Sequence, residues 1–168
     1  WRATAYVGAD KTDEFDEEEE VAVAADAALE RVCTALGQAV VAPTVALVGQ
    51  FAAQADWRLR RAALNAICAV GSCCSKFMKK QLKDVVPFAV QCVGDSTQRV
   101  RFAALECLAT LSGSFPGTFQ RVNKGLAVPA FISALTDPAN CERVKGHAAA
   151  AVTTFAHPEQ CPASCLAA

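Results

Sequence analysis

Aromatic side chains are scarce, at 7% of 168 residues, with two tryptophans and one tyrosine. Long runs of β-branched alternation are missing as well. Together these absences argue against a sandwich or barrel and favour an all-α chain. Histidine is nearly absent too: only His147 and His157 occur. No G-x-x-x-x-G-K-[ST], G-x-G-x-x-G or G-x-S-x-G pattern is present, so neither a phosphate cradle nor a nucleophile elbow is available. No enzymatic activity and no cofactor are expected. Residues 1–20 lack the apolar centre of a secretory signal. A chain that opens on Trp1 is expected to be a piece of a longer protein.

Alanine supplies much of the 53% hydrophobic content. It buries little area per residue, so the core is expected to come from close helix–helix packing. The nine cysteines are odd in number and several fall inside apolar helical patterns. That suits reduced thiols used as small hydrophobes, in cytoplasm or nucleus. Cys141, His147, His157, Cys161 and Cys165 are separated by five, nine, three and three residues, a poor match to paired zinc ligands. Thr34 to Ala55 is the longest uncharged stretch, but Gly37, Pro43 and three glutamines interrupt it. Two buried segments are expected there, not a membrane span.

The charge is unevenly placed. Asp13, Glu14, Asp16, Glu17, Glu18, Glu19 and Glu20 form a −7 block, so the overall −1 leaves +6 for the remainder. Such a run reads as a solvated segment, or as a strip that attracts a basic partner.

The chain also repeats itself. WRLRRAALNAICAVG (57–71) superposes on QRVRFAALECLATLS (98–112), and ERVKGHAAAAVTTFA (142–156) is a weaker third copy. The steps are 41 and 44 residues, and Pro43, Pro87 and Pro129 recur at steps of 44 and 42. Periods of this length point to an α-solenoid of HEAT repeats, antiparallel helix pairs stacked side by side. The expected division is 1–20 (end of a preceding repeat and an acidic loop), 21–36 (a second helix), then repeats over 37–72, 73–112 and 113–157. Residues 158–168 are left as a tail or the start of another repeat.

The partner helices are placed near 39–54, 83–93 and 124–135, with short turns at 75–80 and 116–122. A bend is expected where each proline interrupts its helix. Leu59, Ala63, Ala66, Ile67 and Val70 make one apolar stripe, and Val100, Ala104, Cys107, Leu108 and Leu111 make the next. Asp95 is expected to cap the following helix or meet Arg99 or Arg101. Exposed apolar end faces are expected to make the piece sticky. Basic residues spread over the repeats without interleaved aromatics do not suggest nucleic acid.

DWRLRRAAL, DSTQRVRFAALECLATL, FPGTFQ and RVKGHAAAAV resemble the karyopherin-β (importin-β) family, in particular its importin β-3 branch, over roughly residues 13–156. The resemblance implies a nuclear import receptor, without cofactor or membrane, moving between cytoplasm and nucleus. It implies three kinds of partner: the GTP form of the small GTPase Ran, cargo proteins with basic signals, and nucleoporins. In that family an acidic insertion in a central repeat contacts Ran. By position it corresponds to Asp13, Glu14, Asp16 and Glu17–Glu20. Cargo lies along the inner helices, where Arg61, Asn65, Phe102 and Glu106 would look inward, with Thr153 further on. A structural HEAT scaffold, of the phosphatase-scaffold or condensin kind, is the alternative.

Overall fold

The structure is a computed structural model that describes the backbone of residues 13–157 and the side chains of 21 and 23–157. Its described residues form helices only. They are α1 (Asp13–Leu36), a 3-10 turn (Gly37–Val40), α2 (Val41–Ala52), α3 (Trp57–Cys73) and α4 (Ser75–Met78), followed by α5 (Leu82–Cys92), α6 (Gln98–Ser114), α7 (Thr118–Thr136) and α8 (Glu142–Ala156).

The inner layer is α1, α3, α6 and α8. Side-chain pairs show that these helices run parallel. Asp26 meets Asn65 and Thr34 meets Cys73 across α1 and α3, Trp57 meets Arg99 and the Cβ position of Gly71 faces Leu111 across α3 and α6, and Gln98 meets Cys141 and Phe102 meets His147 across α6 and the start of α8. α2, α5 and α7 form the outer layer. Each inner helix therefore needs an apolar flank on both sides, which widens the buried stripe. Leu64 and Leu105, outside the simple stripe, are fully buried, as are Ala104, Cys107 and Leu108. Leu59 and Ala66 are only half-buried. A Cβ on Gly71 would stand 2.9 Å from a Leu111 methyl, so glycine permits the close approach of α3 and α6.

Arginine–aspartate pairs lock successive repeats. Arg60 donates from Nε to Asp95 Oδ2 at 2.7 Å and from Nη2 to Asp95 Oδ1 at 3.0 Å, while Asp95 Oδ1 also takes the Thr97 N–H at 2.8 Å. One repeat on, Arg101 reaches Asp137 Oδ2 at 3.2 Å and Asn140 Oδ1 at 2.6 Å. Arg101 Nε also donates to the Asp95 carbonyl. Asp95 thus pairs through its side chain with the arginine of the previous repeat, and with Arg101 only through its backbone. Burial pushes the Asp95 carboxyl up, but the bonds from Arg60 and Thr97 outweigh it and hold the group below its ordinary range.

Other boundaries differ from the sequence-based expectation for local reasons. Pro43 stands in the first turn of α2, where its missing N–H costs nothing, so it shares no mid-helix position with Pro87 and Pro129. The turn expected at 116–122 is taken up by α7. There Gln120 accepts the Gly117 N–H at 2.8 Å and donates to the Ser112 and Phe155 carbonyls at 3.4 and 3.3 Å. Asp13–Glu20, expected as a loop, are helical in backbone and continuous with the rest of α1. Val23–Ala52 is long and apolar enough by composition to cross a membrane, with mean hydropathy 1.7. That stretch is divided at Gly37, whose φ of +55° takes the left-handed conformation that glycine adopts without strain.

Candidate binding face along the inner helices

α1 and α3 run parallel with a gap between the middle of α1 and the amino-terminal half of α3. Val21, Ala25 and Leu29 come from one side, and Trp57, Arg61 and Asn65 from the other; the groove measures about 520 Å³. Asp26 lies on its wall. Asn65 Nδ2 donates to both Asp26 oxygens, at 3.2 and 3.0 Å, and fixes the carboxylate's orientation. Apolar walls beside a fixed carboxylate suit a ligand with a cationic tip and an aliphatic stem, next to the guanidinium groups of Arg58 and Arg61 that also line the groove. The polar groups of the groove are Asp26, Asn65, Arg58 and Arg61.

From Trp57 and Arg58 at the groove, stacked guanidinium and aromatic groups continue onto α6 and α8. Arg58 and Arg99 lie 5.0 and 5.1 Å from the centroid of the Trp57 ring. Arg143 lies 4.6 Å from the Phe102 ring, and His147 stacks on the same ring at 4.3 Å and 39°. The arginines occupy one register position in α3, α6 and α8, so cation–π contacts repeat along the solenoid. Burial, then the charge of Arg143, lowers the His147 pKa. Among the described residues no three cysteine, histidine or acidic side chains stand close enough to hold a metal ion. Cys161 and Cys165 lie outside them.

This segment has recognisable relatives. It is 31% identical over 147 residues to importin subunit beta-3 of Saccharomyces cerevisiae, a match covering 86% of this chain and 13% of the relative. Kap121p solved bound to RanGTP superposes with a TM-score of 0.79 at 29% identity, over 89% of this chain and 14% of the other. Kap121p bound to Pho4p gives 0.78 at 29% identity, over 89% of this chain and 14% of the other. The chain belongs to the karyopherin-β family.

This karyopherin-β segment spans about one seventh of the length of the relatives it matches. Residues 58–122 also match a family described as the Vacuolar 14 Fab1-binding region, which runs from α3 into α7. Of the residues expected to look inward, the fold brings Arg61 and Asn65 together in the groove. Asn65 serves there through Asp26. Phe102 lies in the next inner helix, under Arg143 and His147, and Glu106 is exposed one turn further along α6. Neither reaches the groove. Thr153 is exposed on α8, its hydroxyl bonded back to the Ala149 carbonyl at 3.0 Å.

Sequence reading missed Asp26 and Trp57 as partners in one site, and Arg99 and Arg143 as stacking groups. Asp26 had one signal, a lone charge within an alanine-rich helical run. The interleaved aromatics thought missing from the basic residues are Trp57 and Phe102, with their faces occupied by the protein's own guanidinium groups. The backbone of Asp13–Glu20 extends α1 amino-terminal to Val21, the residue beside Trp57 in the groove. The acidic side chains themselves lie outside the described residues.

Proposed function

We propose that this chain is a segment of a nuclear import receptor, and that the groove between α1 and α3 takes a lysine-bearing cargo signal. The observation that carries this reading is the Asp26 carboxylate, oriented by Asn65 beside an apolar trough edged by Trp57. A lysine ammonium would meet Asp26 while its methylene stem covers Val21 and Leu29. A charge-assisted bond of that kind is worth roughly 1.5–3 kcal/mol. Phe102 and Glu106 would contact the same extended peptide one repeat further on.

The parent protein would bind the GTP form of Ran, nucleoporins and cargo, and pass between cytoplasm and nucleus. Asp13, Glu14, Asp16 and Glu17–Glu20 would act as a strip that attracts Ran's basic surface. Screening over about 8 Å at physiological salt makes that contribution mainly one of association rate. The helical backbone of Asp13–Glu20 supports a strip with direction, continuous with the groove wall.

The test is titration of a fluorescent lysine-containing signal peptide against Asp26→Asn and wild type. Affinity is expected to fall roughly ten- to hundredfold, as loss of a charge-assisted bond requires. Unchanged affinity would remove the groove from the reading. A scaffold role is the second reading, favoured by the match of residues 58–122 to the Vacuolar 14 Fab1-binding region. It predicts that neither Asp26 nor added salt alters partner binding.

A further inference from the structure

At the far end of α1 and α3 from the groove, three thiols gather where the chain turns. Cys33 is 1% exposed on α1, Cys74 is 5% exposed just past α3, and Cys73 is exposed at the last turn of α3. The Thr34 hydroxyl donates to Cys73 Sγ at 4.0 Å, which ties the neighbour of Cys33 to this exposed sulfur. Cys74 Sγ is turned the other way and donates to the Gly37 carbonyl at 3.3 Å. Import through a groove assigns no role to these groups.

We propose that Cys73 and Cys33 form an oxidation site in which a disulfide staples α1 to α3. Cys73 is the entry point, because among the three it alone is exposed to a soluble oxidant. A peroxide oxidises the Cys73 thiol to a sulfenic acid, with one oxygen transferred and one water released. The Cys33 thiolate then attacks that sulfur, the S–S bond forms and the hydroxyl leaves as water once protonated. Overall two thiols lose two electrons and two protons, and one peroxide becomes two waters.

Cys74 is the poorer resolving group. It follows Cys73 directly in the chain, and its sulfur is held on Gly37. The site differs from the other thiol pair of the inner layer, Cys68 and Cys107. There the hydrogen bond between the two groups, followed by burial, raises the Cys68 pKa well above its ordinary value. Cys107 is fully buried and Cys68 partly so, which shields that pair from a soluble oxidant. Burial, then the neighbouring Cys73 and Cys74, likewise raises the Cys33 pKa. Cys33 therefore waits as a thiol until an oxidised partner is presented.

The consequence is mechanical. α1 supplies one wall of the groove and α3 the other, and the staple fixes their register at the opposite end. Reduction would restore free movement of the wall.

The 168-residue chain, treated with one equivalent of hydrogen peroxide and mapped as non-reduced peptides, tests this. The expected first linkage is Cys33–Cys73, reversed by dithiothreitol, with slower amide exchange through residues 26–36 in the oxidised form. Cys73→Ser should abolish the linkage. With glutathione added after the peroxide, Cys33→Ser should give a mixed disulfide at Cys73 and no internal bridge. Because Cys73 is exposed, Cys73→Ser is expected to fold, and circular dichroism checks this. A first linkage through Cys74 or Cys68, or faster oxidation at exposed Cys141 than at Cys73, would overturn the proposal. So would a Cys33–Cys73 bond that leaves exchange in α1 unchanged.

Discussion

The two ends of this solenoid are built differently. Among the described side chains, α1 and α2 contribute only Cys33, Val41 and Val48 to the buried core. α7 and α8 contribute Phe119, Phe131 and Phe155, whose rings meet edge to face at 6.2 and 5.9 Å. α7 also carries Gln120, fully buried and bonded to two carbonyls of neighbouring elements. Yet both ends expose apolar side chains: Val21, Val23, Val32, Leu36 and Leu47 at one, Val122, Leu126, Val128 and Ile132 at the other. A repeat completes its core only with a neighbour on each side. The carboxyl-terminal end compensates with large aromatics, and the amino-terminal end does not. Within the described residues, α1 is therefore the groove wall that buries fewer side chains.

Three substitutions sharpen this contrast. Phe131→Ala should have the largest effect, about 3–5 kcal/mol, read as a lower urea midpoint for the whole chain. A loss confined to α7 and α8, with α3 and α6 intact, would show that the repeats do not unfold together.

Arg60→Ala comes next. It removes two hydrogen bonds to a carboxylate in a pair whose side chains are only 16% and 9% exposed. The cost should be roughly 1.5–3 kcal/mol, and it should separate α3 from α6 more than α6 from α8. The same pair gives a pH signature. The folded Asp95 pKa lies below its unfolded value, so the stability it contributes is present above about pH 4 and is lost as pH falls through the folded value. Acid unfolding curves of wild type and Asp95→Asn should converge below that range. Parallel curves would show that Asp95 is not tied to Arg60 in solution.

Val48→Ala should be the mildest, at about 1.6 kcal/mol for two buried methylene equivalents. Its effect should appear as faster amide exchange in α1 and α2, with α7 and α8 unchanged. Equal exchange across the chain would abolish the contrast between the ends.

Much of the architecture was legible because the repeat is written in residues that cannot be placed elsewhere. Arg60 and Arg101 share one alignment column, as do Leu64 and Leu105, and both pairs do the same work in successive repeats. The limits of α3, α6 and α8 followed from those columns to within two residues. The start of α7 was hidden because Pro116-Gly117 reads as a turn. The Gln120 side chain, which accepts the Gly117 N–H and is held in place by the Ser112 and Phe155 carbonyls, shows why the helix begins directly after it. Asp95 was expected to cap α6 or to meet Arg99 or Arg101, but the N-cap is Thr97, whose N–H Asp95 accepts in the turn before the helix, and the side-chain partner is Arg60 of the preceding repeat.

The binding face was harder to read. Periodicity could say that Arg61 and Asn65 share a stripe that leaves the core. It could not say that Asn65 would hold Asp26, because that bond depends on the register between α1 and α3. The same register brings Cys73 beside Thr34, two cysteines' worth of chemistry that spacing along the chain cannot reveal.

By itself the sequence determined the helical class, the repeat length and the columns of residues that recur from one repeat to the next. These follow from side-chain period and from local rules of helix geometry, which act within a few turns of chain. Tertiary structure alone decided the groove, the orientation of its carboxylate and the gathering of thiols at its far end. Each depends on where parallel helices from different repeats come to rest, a distance in space that no count along the chain supplies.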